Sequence, residues 1–120
     1  MTVEVTAETF EELAMTGDVL LDIWGQQCTP CIAMMPAIDE LAERYAGRAK
    51  ILKLEGPEHR TLCRSLRVAG LPTYITMRDG GEVERLTGGG VGVDELEAAL
   101  ERLLDGAPVV GLPVPEHLRR

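Results

Sequence analysis

The order of elements along this 120-residue chain predicts a single α/β domain, a central mixed β-sheet of about five strands flanked by about four helices. Three observations carry the prediction. Short apolar runs of strand type alternate with helical stretches through the first half, giving the order βαβαβ. Two later runs are joined by Asp79-Gly80-Gly81, a hairpin signal. An amphipathic stretch over 93–104 then closes the order as ββα.

Taken in order, Val3 to Val5 reads as a weak first strand. Residues 6–16 set Phe10, Leu13 and Ala14 at helical spacing, with Gly17 as a stop. Val19 to Trp24 is a short, mostly apolar run of the kind buried on both faces of a sheet. Asp22 is the anomaly inside it. A second helix follows Cys28 and runs to about Tyr45, its period kept by Met34, Ile38, Leu41 and Tyr45. Pro36 should kink that helix, because it lacks a backbone donor and crowds the preceding turn. Residues 49–54 read as a strand and His59 to Leu66 as a short helix; Thr73 to Arg78 and Glu82 to Thr87 form the hairpin. Helix 93–104 turns Val93, Leu96, Leu100 and Leu103 to the core, and its acidic stretch from Glu95 to Glu101 to water. The domain is expected over 1–105, followed by a Pro- and Gly-rich tail over 106–120. Two readings of the tail stay open: a free segment, or docking of Val109, Val110, Leu112 and Val114 on an apolar surface.

With 45% hydrophobic and 27% charged residues the chain has the composition of a folded globular domain. A formal charge of −8 argues against nucleic acid or an anionic membrane as partner and works against acidic partners. No run is long enough for a membrane span, and the N-terminal residues lack signal-peptide character, so a cytoplasmic location is expected. Cysteines number three: Cys28 and Cys31 in a CxxC, and Cys63 apart. That is too few for a disulfide scaffold, and a close pair in a cytosolic chain reads as redox or metal chemistry. A structural zinc site needs four ligands; only Cys63, His59 and His117 remain as soft candidates, so no metal site is expected. Gly88 to Gly92 lacks the Lys-Ser/Thr of a phosphate loop. Cys63 reads as a packed, inert thiol, with a regulatory thiol favoured by Arg60 and Arg64 as the alternative.

The pair itself has a mechanics that follows from its placement. A thiolate is the reactive form, and a cysteine at a helix N-terminus is stabilised as the anion by unpaired backbone N–H groups. Cys31, one turn on, can reach the sulfur of Cys28. Cys28 then attacks a target disulfide and Cys31 resolves the mixed disulfide. Pro30 suits the first helical turn.

Over roughly residues 5–105 the chain resembles the thioredoxin family. Asp22-Ile-Trp24-Gly25…Cys28-Thr-Pro30-Cys31 is similar to that family's Asp-Phe-Trp-Ala…Cys-Gly-Pro-Cys, and Gly70-Leu71-Pro72-Thr73 to its Gly-Ile-Pro-Thr. The resemblance implies the thioredoxin fold and a thiol–disulfide oxidoreductase that reduces protein disulfides, acts as a monomer, holds no tightly bound cofactor and draws electrons from a reductase. It further implies that Asp22, a buried acid of raised pKa, acts with Lys53 to deprotonate Cys31. Pro72 is expected to be cis and to expose the backbone of Leu71 to an extended target segment, with Trp24, Pro30 and Gly89 on the same substrate-facing surface. Gln27, Thr29 and Ile32 stand where the family usually has Trp, Gly and Lys, which bears on partners and reduction potential. A higher-potential oxidant or isomerase, and a binding module without redox turnover, are the rival functions.

Overall fold

A computed structural model of the chain describes residues 2–111. Its five strands are β1 (Val3–Val5), β2 (Asp18–Trp24), β3 (Lys50–Glu55), β4 (Thr73–Arg78) and β5 (Gly81–Thr87). They form one mixed sheet in the order β1-β3-β2-β4-β5, with β2 parallel to β3 and antiparallel to β4. The helices are α1 (Phe10–Ala14), α2 (Thr29–Ala33), α3 (Met35–Arg44), α4 (Arg60–Ser65) and α5 (Val93–Leu104). β2 lies at the centre, and its residues alternate between two cores. Val19, Leu21 and Ile23 pack with α1 and α4, whereas Leu20 packs with α3 and α5.

The sheet and the hairpin match the sequence expectation, and three boundaries differ for local reasons. The first helix starts at Phe10 because Thr6 and Thr9 close a turn on each other: Thr6 N–H donates to Thr9 Oγ1 at 2.9 Å. The second helix is interrupted and becomes two, giving five helices where about four were expected. Pro36, in the first turn of α3, has no N–H to continue the ladder, and Met34 N–H instead bonds back to Pro30 and Cys31 oxygens at 3.2 Å. A 3-10 turn at Gly56–Glu58, absent from the sequence reading, precedes α4.

Two arginines finish the helices. Arg78 donates to Leu103 O at 2.5 Å and Ala107 O at 2.7 Å, and Arg85 to Leu66 O at 2.8 Å and Arg67 O at 3.0 Å. Each guanidinium thereby satisfies carbonyls that a helix C-terminus leaves open. The acidic face of α5 is not merely wet: Glu97 pairs with Arg44, and Glu101 accepts from Tyr45 Oη. The tail is not free up to Gly111. Val110 N–H donates to Glu82 O at 2.7 Å and Glu82 N–H to Gly111 O at 2.9 Å, while Val109 and Val110 remain 44% and 72% exposed. Leu112, Val114 and His117 lie outside the described residues.

Both hairpin-loop residues are left-handed, Asp79 at φ 49° and Gly80 at φ 85°, as a two-residue loop matched to strand twist requires. A Cβ on Gly80 would also press on the end of Met15. Gly80→Ala is therefore expected to lower stability by about 1–2 kcal/mol. Urea unfolding measures this, and an unchanged midpoint would contradict the loop assignment.

Candidate active site

β2 delivers the chain to the site. Gly25, just past its end, sits so close to Leu71 that a Cβ would lie 2.9 Å from Leu71 Cδ1. No side chain fits there without displacing Leu71. Gln26 and Gln27 are exposed, and Cys28 N–H closes a turn onto Gly25 O at 3.1 Å. Cys28 is the extended N-cap of α2, and its Sγ accepts the backbone N–H of Cys31 at 3.2 Å. Pro30 occupies the first turn, where its missing donor costs nothing. Cys28 and Cys31 form a disulfide, S–S 2.12 Å and Cα–Cα 5.2 Å. The two sulfurs differ in access: Cys28 is half-buried, whereas Cys31 is 3% exposed. A bulky nucleophile or target reaches only the first.

Asp22 is 3% exposed in the middle of β2, on the face that carries Leu20 and is covered by α3 and α5. Burial pushes its carboxyl up to about 7, against a smaller pull downward from Lys53 and a push upward from Glu4. Asp22 and Lys53 are register partners on β2 and β3, and Lys53 is likewise partnered by Glu4 on β1. Lys53 does not close an ion pair with Asp22. Its Nζ lies 4.9 Å from the centroid of the Trp24 ring, and Trp24 Nε1 donates to Glu4 Oε2 at 3.1 Å. The carboxyl thus keeps a neighbouring positive charge without being fixed as a permanent ion.

On the far side of β2 the register partner of Asp22 is Tyr74. Among the described residues its hydroxyl is the one buried side-chain polar atom with no hydrogen-bond partner, and both burial and the charge of Asp22 raise its pKa. The sequence reading gives no role to Tyr74 or Glu4 and no reason for the small size of Gly25. A Tyr in an otherwise apolar strand opposite an Asp is a readable signal for the first; the other two depend on strand register and a close approach that no local pattern encodes.

The Leu71–Pro72 peptide is cis, and Pro72 is buried. Thr73 Oγ1 donates to Gly70 O at 2.6 Å and Gly88 N–H to Pro72 O at 2.9 Å, fastening this corner to both neighbours. The backbone N–H and C=O of Leu71 make no hydrogen bond among the described residues. Gly89 lies against Pro30, where a Cβ would stand 3.2 Å from the proline ring. Leu71 and Gly89 therefore each touch the cysteine-bearing segment, Leu71 at Gly25 and Gly89 at Pro30.

Cys63 is buried, its Sγ 3.8 Å from Gly56 O, and desolvation raises its pKa. Arg60 and Arg64, the two cations named for the regulatory alternative, are exposed, and burial is what raises that thiol's pKa. Among the described residues no three His, Cys, Asp or Glu side chains gather in a metal-binding group, and no helix is long and apolar enough to cross a membrane.

Comparison with known proteins agrees with this geometry. The thioredoxin family model matches residues 1–102. The thioredoxin of Staphylococcus haemolyticus is 37% identical over 86 residues, covering 72% of this chain and 83% of that one. That of Acetoanaerobium sticklandii is 34% identical over 103 residues, covering 84% and 98%. A strand ending in a CxxC that caps a helix, a cis proline beside it and this extent of likeness together make the chain a member of the thioredoxin family, with the Cys28–Cys31 pair of a thiol–disulfide oxidoreductase.

Proposed function

We propose that the protein reduces disulfides of other proteins through a Cys28–Cys31 dithiol cycle. The observation that supports this best is the asymmetry of the pair, one sulfur reachable and held by a backbone N–H, the other buried. In the reduced protein the Cys28 thiolate attacks one sulfur of a client disulfide. A mixed disulfide forms, and the client's other sulfur leaves as a thiolate. Cys31 gives its proton to Asp22 and attacks Cys28 Sγ. The Cys28–client bond breaks, the client leaves fully reduced with two electrons, and the protein holds the Cys28–Cys31 disulfide.

Asp22 suits the base role because a carboxyl titrating near neutrality can both accept and return a proton. Lys53 keeps its anion attainable. Leu71, with its free N–H and C=O before Pro72, is the edge on which an extended client segment adds, and Trp24, Pro30, Pro72 and Gly89 bound the contact surface. The cycle needs no tightly bound cofactor; a reductase partner returns the electrons. The protein works as a monomer, uses neither nucleic acid nor membrane, and belongs in the cytoplasm, where the thiol pool is kept reduced.

Cys31→Ser is expected to trap a client as a mixed disulfide on Cys28 that survives non-reducing electrophoresis, while the wild type turns over with dithiothreitol as donor. Replacing both cysteines by Ser must abolish reduction. Retained activity of the double variant would instead mark a binding module.

Asp22 also gives a pH prediction with a definite sign. Its folded pKa of about 7 lies above the ordinary carboxylate value, so the folded state binds the extra proton. The contribution of Asp22 to stability is then most favourable below about pH 4 and falls as pH rises to about 7, by roughly 4 kcal/mol in all. Asp22→Asn should be more stable than the wild type at pH 8, with the gain vanishing near pH 4. It should also slow release of the mixed disulfide by about 10²-fold and remove its dependence on pH near 7. Denaturation at the two pH values and stopped-flow resolution rates check both arms; a pH-independent stability difference would contradict the buried titrating carboxyl.

A further inference from the structure

Beside the cis-proline corner lies a pocket of about 340 Å³ to which the proposed cycle assigns no role beyond the backbone of Leu71. Its apolar wall is Cys63, Val68 and Leu71, and Arg60 and Arg64 stand on its rim. Leu71 joins it to the site, one side of that residue facing the pocket and the other touching the Gly25 position just before Cys28.

The rim charges are set apart from the rest of the molecule. Of the eight arginines among the described residues, Arg44, Arg48, Arg78, Arg85 and Arg102 each pair with a carboxylate. Arg60, Arg64 and Arg67 pair with no carboxylate among the described residues, although the chain carries 20 acidic residues against 12 basic ones. All three belong to α4 or the turn that ends it, and all are exposed. Arg67 even takes the left-handed conformation, φ 59°, at the position after a helix where glycine is usual. Two guanidinium groups without a described carboxylate partner, Arg60 and Arg64, thus stand together on the rim of an apolar pocket of an otherwise acidic protein.

We propose that this pocket and its arginines form a specificity subsite for clients whose disulfide-bearing segment carries an apolar side chain flanked by carboxylates. The proposal rests on the reductase reading. A segment paired with the Leu71 backbone sends alternate side chains to one face, so an apolar residue enters the pocket while a carboxylate two residues along meets the guanidinium groups on its rim. Overall charge alone gives the opposite expectation, since a chain of net charge −8 repels an acidic client.

The test is dithiothreitol-driven reduction of three disulfide peptides that differ only beside the reactive cysteine: Leu-Glu-Glu, Leu-Lys-Lys and Ser-Glu-Glu. At low ionic strength the first should exceed the second in kcat/KM by about three- to tenfold, mainly through KM, and should also exceed the third. Arg60→Ser/Arg64→Ser should bring the Glu-to-Lys ratio to one or below. Arg44→Ser/Arg48→Ser, the same charge change on α3 and its following turn, should leave that ratio as in the wild type. High salt should shrink it. Equal reduction of all three peptides, or a ratio unmoved by the α4 variant, overturns the subsite and leaves the reductase function standing. No reduction of any peptide overturns both.

Discussion

The physical constraint around which this molecule is arranged is a carboxyl held inside its central strand. β2 is covered on both faces and hydrogen-bonded on both edges, so Asp22 has neither water nor a free edge to relax toward. A tight ion pair with Lys53 would have relieved the burial and fixed the group as a permanent anion. Instead Lys53 rests over Trp24, Trp24 is held by Glu4, and the carboxyl stays able to change its protonation state near neutral pH. The arrangement weakens the fold at neutral pH and leaves inside it a carboxyl that can take up and release a proton; under the proposed function that loss of stability serves activity.

The scaffold compensates by leaving few other buried polar groups open. Arg78 and Arg85 each close a helix C-terminus, Glu95 accepts from the Gly92 N–H at the start of α5, and the Asp79 loop is tied to Gly17 from both backbone and side chain. Against that background the solitary hydroxyl of Tyr74 and the carboxyl of Asp22 stand out as neighbours in one cross-strand pair. Among the described residues Arg60 and Arg64 on α4, and Arg67 in the turn after it, pair with no carboxylate.

Much of this was legible from residue order. Strands with short apolar runs, the Asp79-Gly80 hairpin and the period of α5 are local patterns, and the structure places them within a residue or two. The CxPC was readable because a helix N-terminus favours a thiolate and tolerates Pro in its first turn, whereas the Asp six residues before it and the Leu-Pro-Thr were readable through the resemblance to the thioredoxin family. What escaped depends on contacts between distant segments. Pro36 announced a distortion, yet whether it bends α3 or separates it from α2 is decided by where Met34 finds an acceptor. Glu4 and Lys53 become partners only through parallel register, and the pairing of Val110 with Glu82 needs an open edge on β5. An exposed Arg likewise looks the same in sequence whether or not a carboxylate waits across the fold.

The reduction potential of the Cys28–Cys31 couple, read from Trp24 fluorescence in dithiol buffers, tests the central claim most directly. Trp24 is the one tryptophan, at the end of the strand that leads into the pair. A reductant of protein disulfides predicts a single two-electron transition near about −270 mV. A midpoint towards about −120 mV would make the protein an oxidant, and the absence of a reversible two-electron transition would remove redox turnover from its function.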